Sequence, residues 1–282
     1  MCDPAGEGQV GDVCVPPCEE ADTVDTAAAW RARIRRGEWT RPTAGLAEGY
    51  AQANMLVLPR ALADEFSQFC ALNPRPCPLL EMLAPGDPRT RQMADGADVR
   101  TDLPRYVVFR EGVRVADPTD VTAWWEDDLV AFLLGCSFGF EWALVAAGLP
   151  LHHVLAGRNV PMYRTNLPLA PVGPFHGEMV VSMRYFEPTQ ATLAARISAR
   201  YPLMHGAPVH TGDASGIGIA DLDTPDFGDA IPRPEGTIPV FWPCGVTSQV
   251  VGLAARPRLA ICHAPGHMLV LDRQHREFEV VR

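Results

Sequence analysis

The stretch Gly157-Arg158-Asn159-Val160-Pro161-Met162-Tyr163-Arg164-Thr165 gathers two guanidiniums, a carboxamide, a phenol and a hydroxyl. Two arginines so close repel in a dry setting unless anions meet them, and the planar fork of arginine fits a carboxylate at two points. The stretch therefore reads as a carboxylate clamp. Arg158 and Arg164 grip the acid, while Asn159, Tyr163 and Thr165 add polar contacts. The alternative is that both arginines pair with acids of the chain itself, a common structural device.

Proton-transfer groups lie mostly in the later half. His205, His210, His263 and His267 fall at the ends of strand-like segments and His176 in a loop. Imidazole is the side chain that exchanges protons near neutral pH. His210-Thr211-Gly212-Asp213 sets an imidazole beside a carboxylate, which makes His210 and Asp213 the first candidates for moving protons and His263 and His267 reserves. Cys244-Gly245-Val246-Thr247 offers a thiol, a hydroxyl and backbone N–H groups, so Cys244 joins the catalytic candidates and Thr247 the donors. A helix starting at Ser137 would point its free N–H groups at an anion. Tight packing of helices explains the small residues Gly135, Ser137 and Gly139 equally well. Arg184, on a strand, is a further substrate-binding candidate. Cys136 and Cys244 both admit a nucleophile reading, but neither lies in a thiol-catalysis motif. His205, His210, His263, His267 and Asp213 could hold zinc, yet Pro265-Gly266 breaks the helical pairing of two histidines. No metal and no cofactor is expected, and no Walker-type loop or dinucleotide fingerprint appears.

The elements that must position these groups alternate between strands and helices. Helices are predicted over Thr26–Arg36, Arg60–Leu72, much of Trp124–Ala147, Thr189–Arg200 and Val250–Ala255. Strands are predicted over Asn54–Leu58, Leu79–Leu83, Glu178–Phe186, Pro208–Asp213, Ile238–Trp242, Leu259–Cys262 and Met268–Asp272. Tyr106–Arg110 and Val113–Val115 read as a hairpin about Glu111-Gly112. Such alternation argues for an α/β protein. The chain has 282 residues, 47% of them hydrophobic, which suffices for one large domain or two intimate ones. Its net charge of −10 gives no sign of nucleic-acid binding, and it holds no apolar run of transmembrane length. The acidic start lacks a signal-peptide profile, so a cytoplasmic location is expected. Eight cysteines in such a chain do not imply a disulfide framework. Residues 1–25 read as a flexible leader.

Several stretches together carry a resemblance. They are Asn73–Leu80, Asp127–Phe138, Gly157–Asn166, Met179–Arg184, His205–Asp213, Pro239–Thr247 and His263–Met268. In this order they resemble the D-glutamate cyclase family, also described as hydro-lyases, and the likeness runs from about Ala28 to Asp272. The resemblance implies a lyase that forms 5-oxo-D-proline from D-glutamate with loss of water. It also implies two intimately packed α/β subdomains, a three-layer sandwich and a smaller two-layer unit. We assign residues 26–150 and 236–282 to the former and 151–235 to the latter. The expected partner is a small carboxylate or amino acid, with no nucleic acid and no membrane; a homo-oligomer is compatible with the chain. Two other readings stand beside this one: a cyclase or dehydratase acting on another carboxylate in a specialised pathway, and a small-carboxylate-binding protein without turnover.

Overall fold

The computed structural model describes residues 26–280. The expected leader, with Cys2, Cys14 and Cys18, lies outside them. Helix α1 (Ala27–Arg35) is capped by the Thr26 hydroxyl, which accepts the Ala29 N–H at 3.2 Å. Then come β1 (Tyr50–Pro59), α2 (Ala63–Leu72), β2 (Leu79–Met82), β3 (Tyr106–Arg110), β4 (Val113–Ala116) and β5 (Leu129–Gly135). The hairpin turn sits where predicted, with Glu111 and Gly112 at φ 50° and 78°, as a tight two-residue connection requires. After α3 (Phe138–Ala146) and the short α4 (His152–Leu155), β6 (Met162–Pro168), β7 (Glu178–Phe186), α5 (Pro188–Ser198), β8 (His210–Thr211) and β9 (Ile238–Pro243) follow. The chain closes with α6 (Val246–Ala254), β10 (Ala260–His263) and β11 (Leu269–Gln274).

Two sheets form, and all their strand pairs are antiparallel. The large one runs β2-β5-β1-β10-β3-β4, with β11 also pairing with β1; the small one runs β6-β7-β9-β8. Central strand β1 is flanked by β5 over residues 53–59 on one side and by β10 and β11 on the other. Its side chains alternate between two cores, as a strand must. Met55 and Val57 join Leu133, Ile261, Phe140 and Leu144 of α3, and Ala191 and Ala194 of α5. Leu56 and Leu58 join Phe132, Phe66 and Phe69 of α2, and Val251 of α6. Helices thus cover both faces, which is the three-layer arrangement. The small sheet turns Val240 and Trp242 inward to the first core, with the Trp242 ring 5.6 Å from Phe140. Its outer face (Tyr163, Val181, Met183, Tyr185, Phe241) is covered by Ala214, Ile217 and Ile219 of the following loops.

Three expectations are corrected. Leu129–Leu134 is a strand, not the start of a helix. Every residue of β5 is buried because neighbours cover both its faces, and a continuous apolar run carries no period to tell strand from helix. Helix α6 begins at Val246, four residues before the predicted start, because Gly245 and Thr247 read as turn residues but serve as cap and first turn. The expected boundary at 235/236 moves as well. β9 pairs with β7 through six residue pairs in the small sheet, and the chain returns to the large sheet only at β10. Among the described residues, no helix is long and apolar enough to cross a membrane.

Candidate active site

β5 and β9 are each followed directly by a cysteine that leads into a helix, and the two turns line one narrow crevice. Cys136, Ser137 and Phe138 of one turn and Cys244, Gly245 and Val246 of the other line it together. Asn159, Val160, Met162, Gly266 and Met268 close it, with Asn54, His205 and His263 at its polar positions. The space holds about one water, with a volume of ≈ 20 Å³.

Asn54 is the hinge-pin of this arrangement. It is buried in β1, among apolar neighbours, and its Nδ2 donates to the Gly135 carbonyl at 2.7 Å. A methyl group on Gly245 would lie 2.2 Å from the same nitrogen, so only glycine lets α6 start against Asn54. Gly135 and Gly139 play the same part toward His205. A methyl on Gly135 would lie 1.7 Å from the Leu203 carbonyl oxygen, and one on Gly139 would lie 2.6 Å from the Met204 side chain. These two glycines let the 202–205 turn press against the start of α3. His205 itself has φ +76°, a left-handed conformation uncommon for a residue with a side chain, and it delivers the ring into the interior.

The electrostatics follow from burial. His205 Nδ1 lies 2.7 Å from the Arg75 carbonyl and so carries the proton, while Nε2 has no hydrogen-bond partner. Burial pushes this ring down to about 4, against the opposing pull of the Arg75 carbonyl and, more weakly, of the Gly135 backbone, which Nε2 does not reach in hydrogen-bonding geometry. His263 is likewise buried and pushed down to about 4; its Nδ1 accepts the Met55 N–H at 3.0 Å. Gln249 Nε2 stands 2.9 Å from the same atom. Both imidazoles are therefore neutral at pH 7. Burial pushes the Cys136 thiol up to about 12 and the Cys244 thiol up to about 11, although helix N–H groups oppose the rise in each. Both cysteines are therefore thiols at neutral pH.

Ser137 is held from behind. Arg184 donates to its Oγ at 2.9 Å, to Ser182 Oγ at 3.0 Å and to Glu141 Oε1 at 2.8 Å through Nε. His153 Nε2 lies 3.3 Å from the same carboxylate. Burial works to raise Glu141, but Arg184 and His153 outweigh it and bring the carboxyl down to about 2. The guanidinium also stands 5.4 Å from both the Phe140 and Trp242 rings.

Of the candidates from sequence, the structure brings Ser137, Asn159, Cys244 and His263 to the crevice. His267 sits beside it, with Nδ1 2.9 Å from the Pro265 carbonyl, and burial lowers its pKa. Thr247 bonds to the Val180 backbone, donating at 3.1 Å and accepting at 3.0 Å, which ties α6 to β7. Thr165 Oγ1 donates to Met179 at 2.7 Å and the Tyr163 hydroxyl to Leu222 at 2.7 Å; both are internal fastenings. Arg184 serves the buried network above and does not face the crevice.

The arginine clamp is withdrawn. Arg158 and Arg164 are exposed, and the 226–230 loop answers both. Arg158 donates to the Ala230 carbonyl, and Arg164 lies 3.7 Å from Asp226 and over the Phe227 ring. β6 is an edge strand, and the Arg164 side chain is taken up there by the 226–230 loop and solvent. We expect Arg164→Ala to change unfolding free energy by no more than about 1 kcal/mol, as for other exposed pairs, measured by urea titration. The His210–Asp213 pair is withdrawn for a similar reason. The His210 ring lies at a tilt against Phe241, 5.8 Å away, on the outer face of the small sheet, whereas Trp242 and Cys244 belong to the inner one. The Asp213 carboxylate caps Ser215 at 3.0 and 2.7 Å instead of meeting the imidazole. The zinc set is thereby also split between two places.

Asn54, Cys136, His205 and Gln249 complete the site. Cys136 and His205 were visible as thiol and imidazole; Asn54 betrays itself only as a polar residue inside an apolar strand.

Five of the seven stretches that carry the family resemblance thus meet in one crevice, although they are scattered along the chain: Cys136–Phe138, Asn159–Met162, His205, Cys244–Val246 and His263–Met268. The profile of the family described as D-glutamate cyclase matches residues 130–272, which hold all of them. This chain belongs to the D-glutamate cyclase family. A relative from Rubrobacter xylanophilus, named "Putative hydro-lyase", is 58% identical over 254 residues, covering 90% of this chain and 98% of its own. Relatives of the same name from Stutzerimonas stutzeri and Bacillus pumilus are 52% and 50% identical, each over about nine-tenths of this chain and 96% and 95% of their own. Of this D-glutamate cyclase family member's crevice, only Asn54 lies outside the matched residues.

The neutral buried histidines give the fold a pH dependence. His205 and His263 fall to about 4 on folding from an ordinary 6.5, so below 6.5 the unfolded chain binds more protons. Stability is then full above that value and lost as pH falls toward 4, by up to about 3 kcal/mol per ring. Glu141 adds a second loss, between 4.5 and about 2. Urea midpoints measured from pH 8 to pH 4 should fall steadily below pH 6.5.

Proposed function

We propose that this protein is a hydro-lyase acting on a small amino or carboxylic acid, and that it closes a lactam with loss of water as a D-glutamate cyclase does. The observation that carries the reading is the meeting of family-matched segments around neutral imidazoles, protonated thiols and two helix starts. Each part of the reaction has a group suited to it. The positive dipole ends at the starts of α3 and α6 favour a carboxylate and the oxyanion that forms when an amine attacks it. Neutral His205, with Nε2 unpartnered, takes the proton from the attacking amine. A thiol of Cys136 or Cys244 gives a proton to the departing oxygen, and Asn54 and Asn159 add polar contacts. Holding both reacting ends in one crevice is itself worth ~7–11 kcal/mol of barrier.

Substrate entry needs the crevice to widen. Phe138 lines both it and a wider groove of ≈ 670 Å³ bounded by Trp142, Val145 and Val154, so turning one ring would join the two. The test is incubation of purified protein with D-glutamate and a panel of related acids, with mass spectrometry for loss of one water. A product lighter by one water, formed faster than in its absence, is the expected result. A panel in which every acid is returned intact would end the reading. The alternative of a binding protein without turnover predicts that affinity survives loss of the His205 ring.

A further inference from the structure

We propose that Cys136 and Cys244 form a two-sided acid–base pair that exchanges, and inverts, the α-hydrogen of a bound 2-amino acid. This rests on the reading of the crevice as a site for a small amino acid, but the chemistry differs, since lactam closure leaves the α-carbon untouched.

The two cysteines occupy equivalent places in two copies of one local device. Each lies directly after a strand and two residues before a nine-residue helix. The intervening residues have the same backbone angles, φ −60° and ψ −20° at Ser137 against φ −61° and ψ −20° at Gly245. The Cys136 carbonyl accepts the Gly139 N–H at 2.9 Å and the Cys244 carbonyl the Thr247 N–H at 3.0 Å, in both cases three residues on. The sulfurs match too: the Phe138 N–H faces Cys136 and the Val246 N–H faces Cys244, each the first residue of its helix. Both side chains line the same crevice and share one apolar cluster. Asn54 spans the two devices, bonding to Gly135 ahead of one cysteine and pressing on Gly245 after the other.

An ordinary nucleophile needs one thiol. Paired thiols with equal surroundings suit a reaction whose transition state looks the same from either side. Proton removal from Cα is such a reaction, because the planar carbanion can be protonated from both faces. The helix starts favour the negative charge that the carboxylate takes up, because two positive dipole ends meet at the crevice. His205 Nε2, fully buried and without a partner, marks the crevice as built for a polar ligand.

The step balances with no outside reagent. The active pair is one proton short, having released it to solvent. The thiolate of one cysteine takes the α-hydrogen as a proton, and the C–H electron pair moves into the carboxylate as an enediolate. The opposite S–H gives its proton to the other face of Cα. The chain ends with thiol and thiolate exchanged, and nothing is oxidised or reduced.

The test uses the full-length reduced protein in D₂O with L- and D-glutamate as probes. Proton NMR follows the α-hydrogen, chiral chromatography the enantiomers, and mass spectrometry the loss of water in the same samples. Exchange and inversion in the wild type, each lowered at least about 100-fold in both Cys136→Ser and Cys244→Ser, support the proposal. Thermal melts confirm that these variants are folded; Cys136→Ala and Cys244→Ala replace any that is not. Loss of water without α-exchange overturns the pair and leaves the lyase reading intact. Exchange that survives in both serine variants overturns the pair as well. If glutamate shows neither exchange nor loss of water, the pair falls, and intact acids across the wider panel would remove the lyase reading separately.

Discussion

Arg184→Ala is expected to lower the unfolding free energy by about 3–5 kcal/mol, the range for removing one partner of a buried ion pair. The loss is large because one guanidinium serves several groups at once. Without it, the Glu141 carboxylate keeps only His153, and Ser137 and Ser182 lose a donor in a dry interior. The Phe140 and Trp242 rings lose the cation beside them. Arg184→Lys should recover only part of the deficit, since an ammonium cannot present the fork that reaches all three oxygens. Urea unfolding of the three proteins at pH 7.5 measures this. A shift under about 1 kcal/mol for Arg184→Ala would show that the network is replaceable.

His205→Asn should leave the protein folded and reduce turnover by about 10²–10⁴-fold, the usual contribution of a positioned base. Asparagine tolerates the left-handed backbone at this position, and its amide can still donate to the Arg75 carbonyl. What it lacks is the free ring nitrogen. The same variant should lose part of the acid sensitivity, because one buried imidazole no longer protonates on unfolding. A rate within a factor of a few of wild type, with the product lighter by one water as the readout, would move the base to His263.

The two sites proposed from sequence and withdrawn on structure show where local reading stops. Arg158 and Arg164 share one short polar stretch, and His210 and Asp213 stand three residues apart. Density along the sequence says nothing about which side of a strand a residue takes, nor which loop will answer it. Arg164 lies on an edge strand beside an acidic loop contributed from residues 226–230, and His210 follows Phe241 to the outer face. The residues that do meet lie as far apart in the chain as Asn54 and Met268, and no single segment shows that they belong together.

The α/β character, most element positions, the family and the thiols and imidazoles were legible in the order of residues, because strand and helix periods, turn residues and long ordered motifs are local properties. Three things depended on the packed molecule. The apolar run 129–134 became a strand because neighbours cover both its faces. Gly135, Gly139 and Gly245 acquired their purpose from backbone and side chains that approach within a methyl's width. The crevice itself arose because β5 and β9, in different sheets, bring two cysteine-led helix starts to either side of Asn54. Contacts of this kind are set by how sheets stack, and burial then decides which groups stay neutral; neither is written into any single stretch of chain.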